Sequence, residues 1–370
     1  MIVLKRVVSQ LTGVLMLTSV VALTACDDDD DDIIVETGFF EVTNLVSDQP
    51  GVAQVTDPNL VNPWGLAFGP NTFFWTANNG TSTATVFQAN GTPAPAGSPL
   101  VVDMPAAVEM SPTGTVFNPT TGFNITANNV TAPAQFIFVS EDGSISGWNP
   151  DVSPTAAVLA RTVNGAVFKG VEIAQPAGAD PLLFAANFSA GRIDVFDTGF
   201  QPVNLGPTAF VDSDLPAGFA PFNIKLIGTE LFVTFALQNA DRTDDVPGAG
   251  NGFVDVFGLD GTFLRRFASR GELNAPWGLA AAPNNFGEAS DAILVGNFGD
   301  GLIHAFNVDG TARGPLLDAN GVALQIDGLW ALQFGNGAMA GPQNVLFFTA
   351  GPDDETHGLF GQIVARAAVR

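Results

Sequence analysis

The chain has 370 residues, with 13 lysines and arginines against 37 aspartates and glutamates, a formal charge of −24 at neutral pH. A surface of that sign repels phosphate backbones and anionic lipid headgroups, which argues against nucleic acid as a partner. Only 14% of the residues are charged and 46% are hydrophobic, so the chain is not an acidic disordered polymer and has ample material for a core.

Lys5 and Arg6 precede a mostly apolar run from Leu11 to Leu23, with the small residue Ala25 before Cys26. That order predicts a secretory signal over residues 1–25, because the run is shorter than the ~20 residues a membrane-crossing helix needs. Leu23-Thr24-Ala25-Cys26 matches the bacterial lipobox, which makes Cys26 the lipidation site. Acyl chains there would anchor the protein to the membrane. Cys26 is the only cysteine, so lipidation leaves no disulfide and no catalytic thiol in the mature chain. Asp27 to Asp32 repel one another and stay solvated, so residues 26–38 read as a lipidated cysteine and an acidic linker, with a metal-binding tail as the alternative. Asp27 beside Cys26 resembles the inner-membrane retention signal of enteric bacteria. Removal of the leader leaves 11 basic residues against 37 acidic, a net charge of −26. The expected location is outside the cytoplasm, on a bacterial cell membrane facing the periplasm or the exterior.

Beyond the linker, glycine and proline punctuate short clusters of Val, Ile, Leu and Phe. The chain holds 41 Gly, 25 Pro and 31 Phe but no Tyr. This is the pattern of many short strands joined by tight turns, and no stretch keeps the capped apolar period of a helix. The chain also repeats itself. Asn62-Pro63-Trp64-Gly65-Leu66-Ala67 returns as Asn274-Ala275-Pro276-Trp277-Gly278-Leu279-Ala280, and more weakly as Asp327-Gly328-Leu329-Trp330-Ala331-Leu332. A second element recurs at Phe74–Phe87, Phe136–Trp148, Leu183–Phe196, Leu231–Phe257, Leu294–Phe306 and Leu346–Ile363. The first strands of the units fall at Trp64, Val116, Val171, Phe222, Trp277 and Trp330, in steps of 52, 55, 51, 55 and 53 residues.

Six units at that spacing predict an all-β, six-bladed β-propeller over residues 39–366, each blade a four-stranded antiparallel sheet. Tryptophan would fill the gap between sheets near the axis, and glycine would let the innermost strands approach. The sixth unit has room for only three strands. The alternating stretch Phe40–Val46 therefore predicts an N-terminal strand that closes the last blade and removes an open edge.

Asn187–Phe196, reading Asn-Phe-x-x-Gly-Arg-Ile-x-Val-Phe, resembles the NHL repeat, whose usual form carries Asp where Asn187 stands. Thr43–Gly51 together with Asn59–Leu66 is similar to an uncharacterised family of exported bacterial propeller-like proteins. That resemblance implies the fold and export, and no activity.

Ligands of propellers bind over the central channel. Alignment of the first strands gives one column of Gly65, Phe117, Glu172, Asn223, Gly278 and Ala331, with Lys225 and Gln333 two positions further on in their units. Glu172, Asn223 and Lys225 are therefore the candidate channel residues. A carboxylate beside an amide suits a divalent cation such as calcium. A cross-blade ion pair of Glu172 with Lys225, with Asn223 bonding backbone, is the structural alternative. Gluconolactonase-like propellers use a Glu/Asn/Asn/Asp set, to which these residues do not map one by one. His304 sits in an alternating strand. Asp353, Asp354, Glu355 and His357 form a turn that could take a cation or simply be solvated. Asp241, Asp244, Asp245 and Asn251 lie in an insertion whose spacing fails the calcium-loop pattern. The catalytic residues and any resident cofactor are undefined. The expected function is a binding or scaffold module for a protein, peptide or glycan. The alternative is a metal-dependent hydrolase or lactonase with its site in the channel.

Overall fold

The computed structural model describes residues 38–105 and 110–367. The leader, Cys26 and most of the acidic linker lie outside the described residues.

The alternating N-terminal segment is β1 (Phe39–Ser47), with the short β2 (Val55–Thr56) parallel to it. Blade one is β3 (Pro63–Ala67), β4 (Phe74–Asn78), β5 (Thr83–Phe87) and β6 (Val101–Asp103). Blade two opens with β7 (Pro112–Phe117). A hairpin of β8 (Asn124–Ala127) and β9 (Val130–Pro133) interrupts it before β10 (Phe136–Ser140), β11 (Ser144–Trp148) and β12 (Val158–Thr162). Blade three is β13 (Phe168–Ala174), β14 (Leu182–Asn187) and β15 (Arg192–Phe196). Blade four is β16 (Phe219–Ile227), β17 (Glu230–Leu237), β18 (Gly252–Phe257) and β19 (Phe263–Ser269). Blade five is β20 (Pro276–Ala281), β21 (Ile293–Asn297), β22 (Ile303–Phe306) and β23 (Ala312–Pro315). Blade six is β24 (Leu329–Phe334), β25 (Val345–Ala350) and β26 (Leu359–Arg366), completed by β1.

These six sheets form a closed β-propeller. The innermost strands β3, β7, β13, β16, β20 and β24 pack each on the next, and β24 returns to β3. Closure is antiparallel pairing of β1 with β26, from Phe39 opposite Arg366 to Ser47 opposite Leu359. One backbone bond repeats in every blade. The N–H groups of Asn79, Glu141, Phe188, Gln238, Phe298 and Gly351, just after the second strands, donate to the carbonyls of Asn62, Ser111, Val167, Gly218, Ala275 and Gly328 at 2.8–3.2 Å. In the three blades whose first strand carries tryptophan, the acceptor residues Asn62, Ala275 and Gly328 have φ of 46°, 45° and 63°. That left-handed turn lies two positions before each Trp.

The tryptophans meet at the axis itself. Trp64 stacks on Trp330 with ring centroids 3.4 Å apart and takes Trp277 edge-on at 6.2 Å. Phe222, Phe188 and Phe298 extend the cluster and plug the channel between its two ends. The glycines beside them carry the close approach between inner strands. A Cβ on Gly65 would lie 2.6 Å from the Thr115 nitrogen, and one on Gly114 2.8 Å from the Val171 nitrogen. Gly65→Ala should therefore cost about 1–3 kcal/mol, read as a lower urea midpoint. An unchanged midpoint would show that the ring can spread at that point.

The same contacts correct the alignment of the inner strands. Gly114 and Gly170 stand level with Gly65, three and two residues before the positions of Phe117 and Glu172. Neither strand holds the Trp-Gly pair that marks register in blades one and five. Blade three also departs from the expected four strands, having three. Its outer segment makes a single bridge, Phe196 with Pro202, then runs irregularly through Pro207 and Pro216. Proline lacks the N–H that a continued ladder requires. The hairpin of β8 and β9 was not anticipated either. It begins beside Phe123, which packs on Phe200 at 5.5 Å and fills the space outside blades two and three.

Candidate functional site

The aromatic plug separates two channel mouths. At one of them lie the three residues singled out by the alignment. Glu172 accepts from its neighbour Ile173 N at 3.0 Å and from Leu226 N in the next blade at 3.1 Å. Lys225 Nζ stands 3.8 Å from Glu172 and donates to Gln333 Oε1 at 3.1 Å. Asn223 donates to the Trp277 carbonyl at 2.8 Å and accepts from Ile224 N at 2.8 Å. The structure thus brings the three together, and their polar atoms are engaged in tying blades three, four, five and six to one another. The cavity beside Asn223 and Lys225 measures about 30 Å³, the space of one water.

The opposite mouth has a different character. Lys169, in β13, stands one residue before Gly170, at the level where blades one, five and six carry tryptophan. Its side chain is fully buried, and its ammonium caps the Trp64 ring at 4.7 Å and the Phe188 ring at 5.9 Å. Nζ pairs with Glu141 at 2.5 Å and with Asp244 at 3.2 Å. Glu141 comes from the turn after β10, and its second oxygen accepts from Asn79 at 2.9 Å. Asn62 donates to Glu355 at 2.6 Å and accepts from Trp330 Nε1 at 2.9 Å. Four carboxylates from three blades, Glu141, Asp244, Asp245 and Glu355, thus gather at the axis around one ammonium.

Local structure explains how each arrives. The insertion after β17 folds back through the bridge of Gln238 with Asp245, which carries Asp244 and Asp245 over the channel. Asp241 stays exposed, and Asn251 holds the Val246 carbonyl, so the four residues of that loop do not act together. Asp353, Asp354 and Glu355 take left-handed φ values of 56°, 53° and 64° in succession. This conformation is costly for residues other than glycine, and it turns Glu355 inward. It also splits the acidic turn, because Asp353 and Asp354 stay exposed while His357 bonds to Asp48 at 2.8 Å. His304 is buried in β22, and burial lowers its pKa.

Electrostatics at this mouth follow from burial and crowding. Burial opposes the charge of Lys169, but Glu141 and Asp244 outweigh it and hold its pKa above the usual lysine value. Burial, reinforced by the charge of Asp244, pushes Asp245 up to about 7. Burial also raises Glu355, against the hydrogen bond from Asn62. Elsewhere, burial pushes Asp255 up to about 7 against the attraction of Arg266. A raised acid binds its proton more tightly folded than unfolded. Its stabilising effect is present at low pH and is lost as pH rises through about 7. The melting temperature should therefore be higher at about pH 5.5 than at about pH 8, and calorimetry showing the reverse slope would contradict this assignment.

Sequence reasoning placed Asp244, Asp245 and Glu355 among surface turns and passed over Glu141 and Lys169. The available signal was a lysine inside an apolar strand immediately before a glycine, where other units have Trp-Gly.

No model of a protein family matches the chain. Among solved structures, a protein of unknown function from Bacteroides thetaiotaomicron superposes with a TM-score of 0.53 over 89% of this chain and 76% of its own, at 10% identity. That likeness is one of fold. The Uncharacterized protein R648 of Acanthamoeba polyphaga mimivirus is 36% identical over 337 residues, 88% of this chain and 80% of that protein. The Uncharacterized protein L690 of the same virus is 34% identical over 340 residues, 88% of this chain and 86% of that protein. At that identity and coverage, the chain belongs to the protein family that these two mimivirus proteins represent.

Proposed function

We propose that this propeller is a lipid-anchored binding module outside the cytoplasm. Cys26 would hold it to the membrane, residues 27–38 would space it from the surface, and the mouth around Lys169 would receive a protein, peptide or glycan partner. The observation that supports this most is the pairing there of a buried ammonium with Glu141 and Asp244, beside Asp245 and Glu355, with Asn79 and Asn62 bonded to Glu141 and Glu355. Such a cluster costs desolvation and adds little stability of its own, so a ligand is the economical reason for it. A metal-dependent hydrolase using Glu172 and Asn223 is supported less, because their polar atoms already serve inter-blade bonds.

The anchor is tested by Cys26→Ala, which should move the protein from the membrane fraction to the soluble one; retention on membranes would refute it. The binding site is tested by probing peptide and glycan arrays with the full-length protein. Binding that weakens about tenfold in Asp245→Asn or Glu355→Gln supports the axial mouth. Binding indifferent to both substitutions places recognition elsewhere and sinks the reading.

A further inference from the structure

We infer that the group accepted at this mouth is cationic, the ammonium or guanidinium of a basic side chain on a polypeptide partner. The inference rests on the reading that the mouth is the binding site. Glu141, Asp244, Asp245 and Glu355 face a single ammonium, so the cluster carries more negative charge than Lys169 neutralises. Burial, and then the charge of Asp244, raises the pKa values of Asp245 and Glu355. Two buried groups there also lack partners. Among the described residues, Oδ2 of Asp245 has no donor, and Nε1 of Trp64 has no acceptor although that residue is only 1% exposed. Trp64 is part of the same chamber, since its ring lies under the Lys169 ammonium at 4.7 Å.

A second cation beside Lys169 would supply the donors that the carboxylates lack and could share the aromatic floor. Among the described residues, no three His, Cys, Asp or Glu side chains are grouped so as to hold a metal ion. Lysine and arginine carry their charge at the tip of a flexible apolar stem, which suits a half-buried group of carboxylates. The net charge of −24 steers a basic partner toward the protein from a distance.

The test titrates the full-length protein with tetralysine and with its Nε-acetylated form, following tryptophan fluorescence. Tetralysine should bind saturably, and acetylation should weaken it about tenfold or more. Asp245→Asn and Glu355→Gln should each weaken it about fivefold or more. Asp180→Asn and Asp291→Asn, which remove exposed carboxylates in turns between first and second strands, should leave it within about twofold. Equal binding of the acetylated peptide would overturn the inference. So would an affinity that falls as much in the Asp180 and Asp291 variants as in the mouth variants, because attraction would then belong to the whole acidic surface. A neutral glycan that binds and is lost in Asp245→Asn would overturn the cationic group while leaving the mouth as the binding site. Ligands indifferent to both mouth substitutions would overturn both. Melting temperatures of the variants within a few degrees of the parent separate lost binding from lost folding.

Discussion

Lys169→Met should destabilise the fold by about 3–5 kcal/mol at about pH 8, and by clearly less at about pH 5. Methionine nearly matches the volume of lysine and suits the surrounding Trp64 and Phe188 rings, so packing is largely kept. What is lost is the one positive charge among Glu141, Asp244, Asp245 and Glu355. At alkaline pH the carboxylates are left to repel one another in a half-buried site. At acid pH, Asp245 and Glu355, whose pKa values burial already raises, take up protons and relieve the repulsion. Denaturant melts of parent and variant at both pH values measure the effect. A loss that is the same at both would mean that the lysine stem, and not its charge, is what the structure uses.

Deletion of residues 38–47 should have the larger effect still and abolish cooperative folding. β1 is the fourth strand of blade six and pairs with β26 along nearly its whole length. Its Phe40 packs on Phe286 at 5.1 Å, and Leu45 and Val46 are buried in the cluster that holds Trp64 and Trp330. Each such side chain is worth about 1.5–3 kcal/mol of burial, against a total stability of roughly 5–15 kcal/mol for a typical domain. The deletion also bares the β26 edge, a template for intermolecular pairing. The truncated protein should aggregate and show no sharp thermal transition. A peptide spanning Phe39–Ser47 added in trans should restore part of the transition. A truncated chain that melts cooperatively close to the parent would show that the ring holds without its clasp.

Much of the architecture was legible because its signals are local and periodic. Trp64-Gly65 and Trp277-Gly278 mark equivalent points in two blades, and the spacing from one first strand to the next set the count at six. The alternation of Phe40–Val46, together with a last unit one strand short, pointed to the clasp. The third blade was overcounted because Pro202, Pro207 and Pro216 interrupt a segment that spacing alone would fill with a strand. Register failed in blades two and three for a related reason. Without a Trp-Gly pair, nothing in the chain distinguished Gly114 from Phe117 or Gly170 from Glu172 as the level of closest approach.

The candidate site shows the opposite balance. Glu172, Asn223 and Lys225 were found because they are polar where other units are small, and they do lie together at one mouth, bonded to backbone and to each other. The acidic mouth was hidden because each of its members has an ordinary local setting. Glu141 opens a Glu-Asp-Gly turn, Asp244 and Asp245 sit in a polar insertion, and Glu355 follows two exposed aspartates.

The amino-acid sequence by itself determined the repeat, the strand class, the closing strand and the strongly acidic charge, because each depends on patterns within a few residues or on composition. Only the tertiary structure decided that Glu141, Lys169, Asp244, Asp245 and Glu355 share one chamber. Their proximity is a product of ring closure, which brings the starts of the inner strands and the neighbouring turns to a common axis, and of a lysine placed where three other blades supply the indoles of the plug.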